Sequence, residues 1–113
     1  MSTDLIQVGV WVTDDEIQGL VVSSSKSGLV AVRAPGRGPA CDFVAEEFLR
    51  PAPMPEPPLS SILELPMNLP VIREVFSRFG EGWYSTYGDR CREWTDLNLG
   101  TPERPVTVVR WGR

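Results

Sequence analysis

Proline and glycine are the residues that most restrict what this chain can fold into. Eleven prolines and ten glycines are spread over 113 residues. Proline lacks a backbone donor and breaks helix interiors, whereas glycine favours turns over regular structure. We therefore expect short strands joined by many turns, and no long helix.

The composition excludes several classes of function. The chain holds no histidine, which removes Ser-His-Asp and Cys-His catalysis and the commonest metal ligand. Its two cysteines, Cys41 and Cys91, do not have the spacing of a zinc site. The polar amino-terminal residues lack an apolar signal region, and no apolar run approaches membrane-spanning length. We expect a cytoplasmic protein that is no enzyme, without a cofactor, a metal or a membrane partner.

Charge is distributed unevenly along the chain. Residues 1–58 hold eight acidic and four basic side chains, whereas residues 59–113 hold seven of each. The net charge of the first part is therefore −4, which disfavours binding to a nucleic-acid backbone by charge alone. Ten of the eleven basic residues are arginine, which is favoured at protein interfaces, although a GC-rich genome would produce the same excess.

The first half of the chain has the pattern of a series of short strands. Apolar and β-branched runs bounded by polar or Pro-Gly turns predict four of them. These predicted strands cover residues 7–12, 17–22, 29–33 and 40–44. In the first, Val8, Val10 and Val12 would share one face. Residues 45–49 have room for one helical or 3₁₀ turn, and residues 50–52 for a closing strand.

This order of elements resembles small SH3-like barrels, a broad group that includes Tudor-like and KOW-like domains. The resemblance covers residues 6–52 and includes a V-x-V strand, a Gly-x-Val-Val strand, a second V-x-V strand and a final Leu-Arg-Pro. It implies a binding scaffold. Gly19 fits such a barrel, because a strand that bends sharply favours a residue without a Cβ atom. The alternative is an antiparallel meander packed on a carboxy-terminal helix.

An enzymatic resemblance concerns the fold alone. Type II dihydrofolate reductases, which bacterial mobile elements carry, are SH3-like barrels that form tetramers around a shared pore. Residues 17–52 are similar to them in strand order. Their pore is lined by a Val-Gln-Ile-Tyr strand, whereas this chain has Ala-Cys-Asp-Phe-Val at residues 40–44. Their active-site residues therefore have no counterparts here.

The second half combines a proline-rich segment with a predicted helix. Five prolines between residues 50 and 58 predict an extended linker, which is either a spacer or a PxxP-type ligand for another protein. Residues 59–65 could form one or two helical turns. The strongest helix signal covers residues 69–79, because Pro70 suits a first turn and Gly80 suits the position after a last one.

Two further elements are predicted towards the end of the chain. Residues 82–94 suit a hairpin that turns at Gly88 and Asp89, whereas the spacing of apolar residues also allows a helix over residues 89–97. Residues 104–112 alternate as a strand. Together the patterns predict an α+β protein: an SH3-like barrel over residues 1–52, a linker over 53–58, and a helix and strand subdomain over 59–113 that packs with the barrel as one unit.

Aromatic and arginine residues accumulate in the last third of the chain. These residue types are enriched in binding hot spots, because they bury a large area and still carry a polar group. The same rings could instead fill the core of a small subdomain. The candidate partner-binding residues are Trp83, Tyr84, Tyr87, Arg90, Arg92, Trp94, Arg110 and Trp111.

We therefore predict a non-catalytic binding protein whose partner is another protein, such as an inhibitor or accessory protein of a phage or mobile element. One alternative is a nucleic-acid-binding KOW-like module, which requires that arginines cluster with aromatic rings on one exposed face. The arginines concerned are Arg90, Arg92, Arg110 and Arg113. Another alternative is a small-ligand-binding protein with an apolar cavity between the rings. An open strand edge would also allow a homo-oligomer.

Overall fold

A computed structural model describes residues 6–24, 27–35, 40–65, 74–80, 82–86 and 91–112. Its regular structure is mostly antiparallel β-sheet with little helix. The chain divides into two compact units. The first combines Met1–Met54 with Leu99–Pro105, and the second combines Pro55–Asn98 with Val106–Arg113. Within the described ranges, no helix is both long and apolar enough to cross a membrane.

The first unit contains a five-stranded antiparallel sheet with the order β4-β3-β2-β1-β5. Its strands are β1 (Trp11–Thr13), β2 (Gln18–Ser24), β3 (Leu29–Arg33), β4 (Asp42–Ala45) and β5 (Arg50–Pro51). A 3₁₀ turn, Glu46–Phe48, lies between the last two strands. The predicted second, third and fourth strands, the helical or 3₁₀ turn and the closing strand are confirmed here. The first strand, predicted over residues 7–12, is confined to Trp11–Thr13, because residues 8 and 9 form a turn.

Alternating residues of these strands form the core of the first unit. In a strand, successive side chains point to opposite faces, so one face collects the apolar set. The buried members are Val10, Val12, Val21, Val30, Val32, Val44 and Leu49. The prediction that Val8 belongs to this face is wrong, because Val8 is exposed and precedes a turn in which Gly9 has a φ of 95°.

Gly19 lies where two strands approach too closely for a side chain. A Cβ atom at this position would be 2.5 Å from the backbone oxygen of Arg33 and 2.7 Å from its carbonyl carbon. The prediction that this position favours a residue without a Cβ atom is confirmed, but the reason is the close approach of the Arg33 carbonyl; the sharp bend of a barrel strand stays a prediction.

The polar turn predicted between the first two strands is held by the side chain of Asp14. Its Oδ1 accepts hydrogen bonds from the backbone N–H groups of Glu16 at 2.9 Å and Ile17 at 2.6 Å. Asp15 has a φ of 83°, a left-handed conformation that aspartate tolerates better than most residues. Asp15 also pairs with Arg50 of β5.

This ion pair predicts a measurable change in the titration of Asp15. The hydrogen bond from Arg50 and its positive charge hold the pKa of Asp15 below the usual value. The stability that the pair contributes is therefore complete above the unfolded-state pKa, about 3.9 for aspartate, and is lost as the pH falls through the lower folded-state pKa. In Arg50→Gln, we expect the Asp15 pKa to rise towards its usual value in a carboxyl NMR titration. Glu47→Gln is the control, and an unchanged Asp15 pKa in Arg50→Gln would contradict the prediction.

The segment Leu99–Pro105 belongs to the first unit although it is distant in sequence. The carbonyl of Gly100 accepts a hydrogen bond from the N–H of Trp11 at 2.8 Å, and Gln7 Nε2 donates to the carbonyl of Pro102 at 3.1 Å. Gly100 has a φ of 80°, and a Cβ atom there would lie 2.7 Å from the sulfur of Met54. No sequence pattern predicted that the chain comes back to the first unit at these residues.

The second unit contains a four-stranded antiparallel sheet with the order β8-β7-β6-β9. The strands are β6 (Ile62–Leu65), β7 (Glu74–Phe79), β8 (Gly82–Ser85) and β9 (Thr107–Arg110). Leu63 and Phe76 are direct cross-strand neighbours, so their side chains lie on the same face. Both are fully buried, and that face forms the core of the unit. The strand predicted over residues 104–112 is confirmed in its centre.

The predictions of helices over residues 59–65 and 69–79 are wrong in the described residues. Residues 62–65 form β6, and residues 74–79 form β7, which pairs with β6 and β8. Gly80 has a φ of 53° and lies in the tight connection between β7 and β8. A positive φ suits both a helix end and a hairpin turn, so the glycine signal did not distinguish them. Pro70 lies outside the described residues.

Both alternatives for residues 82–97 are confirmed in part. Trp83 and Arg92 form an antiparallel bridge, which is the pairing of a hairpin. A short helix, α1 (Trp94–Leu97), then follows. The turn that the sequence placed at Gly88 and Asp89 lies outside the described residues.

Candidate functional site

The proline-rich segment is packed into the second unit from residue 55 onward. Pro57 is fully buried, and its carbonyl accepts a hydrogen bond from the guanidinium of Arg78. The carboxylate of Glu56 lies 3.5 Å from Nε of Arg78. A PxxP ligand needs its prolines exposed, so the buried Pro57 disfavours that interpretation of the segment.

Trp83 is a core residue of the second unit. Its side chain is fully buried, and its indole N–H donates a 2.9 Å hydrogen bond to Oε2 of Glu56. A buried indole N–H requires such a partner. The prediction that Trp83 contacts a binding partner is therefore wrong, because its ring does not reach the surface.

The backbone pairing beside Trp83 positions the start of the helix that carries Trp94. Trp83 and Arg92 exchange two backbone hydrogen bonds of 2.9 Å. Gly82 permits this approach, since a Cβ atom there would lie 2.8 Å from the carbonyl oxygen of Arg92. Helix α1 then starts at Trp94, two residues beyond the bridge.

Trp94 lies against Trp83 and remains partly exposed. The two ring centroids are 5.2 Å apart with an interplanar angle of 41°, a tilted arrangement typical of favourable aromatic pairs. Trp94 also borders an open cleft of about 310 Å³, which we call the Trp94 cleft. The cleft is lined by Glu56, Arg78, Gly82, Glu93, Trp94 and Thr95.

The Trp94 cleft combines an aromatic ring with charged groups of both signs. Glu56 carries a negative charge that the nearby guanidinium of Arg78 offsets. The exposed carboxylate of Glu93 adds a second negative charge at the cleft. A cationic side chain would find here both an aromatic ring and a carboxylate, which together favour its binding.

The other candidate residues are dispersed over the second unit. Tyr84 is 41% exposed and shares a face of the sheet with its cross-strand neighbour Ser77. Arg110 lies opposite Ile62, which lies opposite Ser77 on the same face. Trp111 is half-buried. Tyr87 and Arg90 lie outside the described residues.

The two described arginines of the predicted cluster are far apart. Arg92 pairs with the outer side of β8, whereas Arg110 belongs to β9 at the opposite edge of the sheet. Four inter-strand spacings separate them, or about 19 Å. The prediction that Arg92 and Arg110 cluster on one nucleic-acid-binding face is therefore wrong. Arg113 is not among the described residues.

Glu56 and Arg78 are the site residues that the sequence patterns missed. Glu56 lies inside the proline-rich segment, and Arg78 lies within residues 69–79, which were predicted to form a helix. They come together only because β7 is a strand beside the packed segment. The one local signal is an acidic residue within a run of prolines, which by itself indicates no site.

Neither cysteine takes part in a metal site within the described part of the chain. No group of three or more His, Cys, Asp or Glu side chains there could hold a metal ion. Cys41 is partly buried, Cys91 is exposed, and neither forms a disulfide bond.

Comparisons with protein-family models, with curated proteins and with solved structures found no match for this chain.

Proposed function

We propose that this protein is a non-catalytic protein-binding module with an SH3-like first unit, and that it contacts its partner through the Trp94 cleft. The order β4-β3-β2-β1-β5 with a 3₁₀ turn before β5 supports the SH3-like assignment, since the resemblance implied the same succession of elements. A cytoplasmic location is consistent with two cysteines that form no disulfide bond, because reducing compartments keep thiols reduced.

The partly exposed ring of Trp94 is the observation that carries this proposal. Hot-spot residues are enriched in tryptophan and lie in well-packed surroundings. Trp94 has this setting, because its ring lies against Trp83 and Trp83 is held by Glu56. Little side-chain entropy remains to be lost when a partner covers such a ring.

The charges of the cleft suggest which partner side chain enters it. A lysine or arginine of the partner would contact the ring of Trp94 and the carboxylate of Glu93. Cation–π contacts of this kind contribute about 0.5–2 kcal/mol, more when water is excluded. We therefore expect a partner with a basic side chain at the centre of its contact surface.

Trp94→Ala is expected to weaken partner binding by about 30-fold or more, because a hot-spot residue contributes about 2 kcal/mol or more. The partner would be captured from the native host with immobilised wild-type protein, identified by mass spectrometry and purified. Its affinity for both forms would then be measured by calorimetry. Phe79→Ala is the matched control, since Phe79 is an exposed aromatic residue that does not line the cleft.

Three outcomes would contradict the proposal. Equal affinity of the wild-type and Trp94→Ala proteins would exclude the cleft as the contact. Unfolding of Trp94→Ala in a thermal melt would assign Trp94 to the core. Salt-sensitive binding of a generic oligonucleotide, with no protein captured, would favour the nucleic-acid alternative instead.

A further inference from the structure

Strand β4 is an open edge of the first sheet. It pairs with β3 on one side through four register positions from Leu29↔Ala45 to Val32↔Asp42. In the sheet order it is terminal, and no strand among the described residues pairs with its other side. Open edges present unpaired backbone groups and are common sites for the addition of another strand.

The hydrogen-bond pattern identifies which backbone groups face this edge. The N–H of Glu46 donates to the carbonyl of Gly28 at 2.8 Å, which makes these two residues a hydrogen-bonded pair in register with β3 and β4. In an antiparallel ladder, hydrogen-bonded and non-hydrogen-bonded pairs alternate. The N–H and C=O groups of Phe43 and Ala45 therefore point away from β3, towards the open edge.

Exposed apolar side chains accompany these backbone groups. Phe43 is 71% exposed, although a phenylalanine is normally buried. Leu29, which is 45% exposed, is its diagonal neighbour on the same face of β3, within reach of a phenyl ring. Phe48 in the following 3₁₀ turn is 65% exposed. A strand added at β4 would cover part of this surface.

The charge of the segment decides between two occupants of the edge. Residues 40–49 contain three acidic side chains and no basic one. These are Asp42, Glu46 and Glu47. A second copy of the chain, paired antiparallel at β4, would bring the same three acids close to one another, and like charges facing each other across strands are destabilising. A basic segment would instead be attracted by all three carboxylates.

We propose that the β4 edge binds an extended segment of a partner protein in which apolar and basic residues alternate. Its backbone pairs with Phe43 and Ala45. Its apolar side chains cover the ring of Phe43, and its basic ones lie near Asp42 and the acidic 3₁₀ turn. This surface belongs to the first unit and does not depend on the proposed role of the Trp94 cleft in the second.

Ala45 permits a substitution that removes an edge donor and leaves the fold unchanged. Its φ of −64° and ψ of 133° match the conformation that proline requires. Its N–H points to the open edge, so proline removes no hydrogen bond of the sheet. Ala45→Pro should therefore fold as the wild type does, while proline at the edge blocks the addition of a strand.

The probe is an eight-residue peptide of alternating valine and lysine, titrated into ¹⁵N-labelled protein and followed by NMR. We expect amide shifts concentrated at residues 42–48 and slower hydrogen exchange at Phe43 and Ala45. In Ala45→Pro the dissociation constant should rise at least ten-fold, and Phe43→Ser should weaken binding too. A peptide of alternating valine and glutamate is the matched control and should not bind.

Each other outcome would overturn the inference in a distinct way. Unchanged affinity in Ala45→Pro would show that the peptide does not pair with β4. Equal binding of the valine–lysine and valine–glutamate peptides would show that charge does not contribute to binding. Loss of binding in Trp94→Ala, with Ala45→Pro unaffected, would place the peptide in the Trp94 cleft instead. A concentration-dependent dimer in sedimentation that Ala45→Pro abolishes would identify a second copy of the chain as the occupant.

Discussion

Trp83→Ala is expected to unfold the second unit. The ring is fully buried, it packs on Trp94, and its N–H bonds to Glu56. Replacing a buried tryptophan with alanine typically costs about 3–5 kcal/mol, because both the transferred surface and the cavity contribute. A whole domain is stabilised by only about 5–15 kcal/mol, and this unit is small. The loss is therefore comparable with its entire stability.

Urea denaturation followed by near-ultraviolet circular dichroism measures this effect. Tyr84→Ala is the control, because Tyr84 is the next residue on the same strand but is partly exposed on the opposite face. We expect the control to lose about 1 kcal/mol or less. Similar midpoints for the two variants would show that Trp83 is not a core residue.

Gly19→Ala is expected to destabilise the first unit by about 1–3 kcal/mol or more, the range for steric overpacking. The added Cβ atom would lie 2.5 Å from the backbone oxygen of Arg33. A flexible side chain could rotate away from such a contact, whereas a backbone carbonyl moves only if β2 and β3 separate. The substitution therefore strains the sheet itself.

The matched control for Gly19→Ala is Val22→Ala on the same strand. Val22 lies at the irregularity in the β2–β3 register and is partly exposed, so its truncation should cost little. Thermal melts of both variants, followed by far-ultraviolet circular dichroism, compare them directly. A Gly19→Ala protein that melts at the wild-type temperature would show that the sheet relaxes to accept the methyl group.

Local chemistry is sufficient to predict much of the first unit. Three of its strands are short runs rich in β-branched residues between polar turns, and such residues favour strands. The turn at Asp14 is likewise local, because the side chain bonds to the backbone two and three residues away. The sequence also predicted that position 19 favours a residue without a Cβ atom.

The helix predicted over residues 69–79 failed because its signals were not specific. Val75, Phe76 and Phe79 fit a helical stripe, yet valine and phenylalanine also favour strands. In the structure, Phe76 is buried opposite Leu63 of β6. Pairing with two neighbouring strands decided the conformation, and such pairing is absent from any local window of sequence.

The candidate site, too, could be predicted only in part from the sequence. The surplus of aromatic residues indicated the correct region, but it could not separate the buried Trp83 from the partly exposed Trp94. That distinction depends on how the two rings pack against each other and on Glu56, which comes from a distant segment. The charged residues of the cleft were missed for the same reason.

By itself, the sequence determined the second, third and fourth strands of the first unit, the turn at Asp14 and the absence of histidine chemistry. The tertiary structure decided that residues 74–79 form a strand, that Leu99–Pro105 joins the first unit, and that only one tryptophan of the Trp83–Trp94 pair reaches the surface. The physical reason is range: turn chemistry acts between neighbours in sequence, whereas strand pairing, burial and the close approach at Gly19 depend on contacts between distant residues.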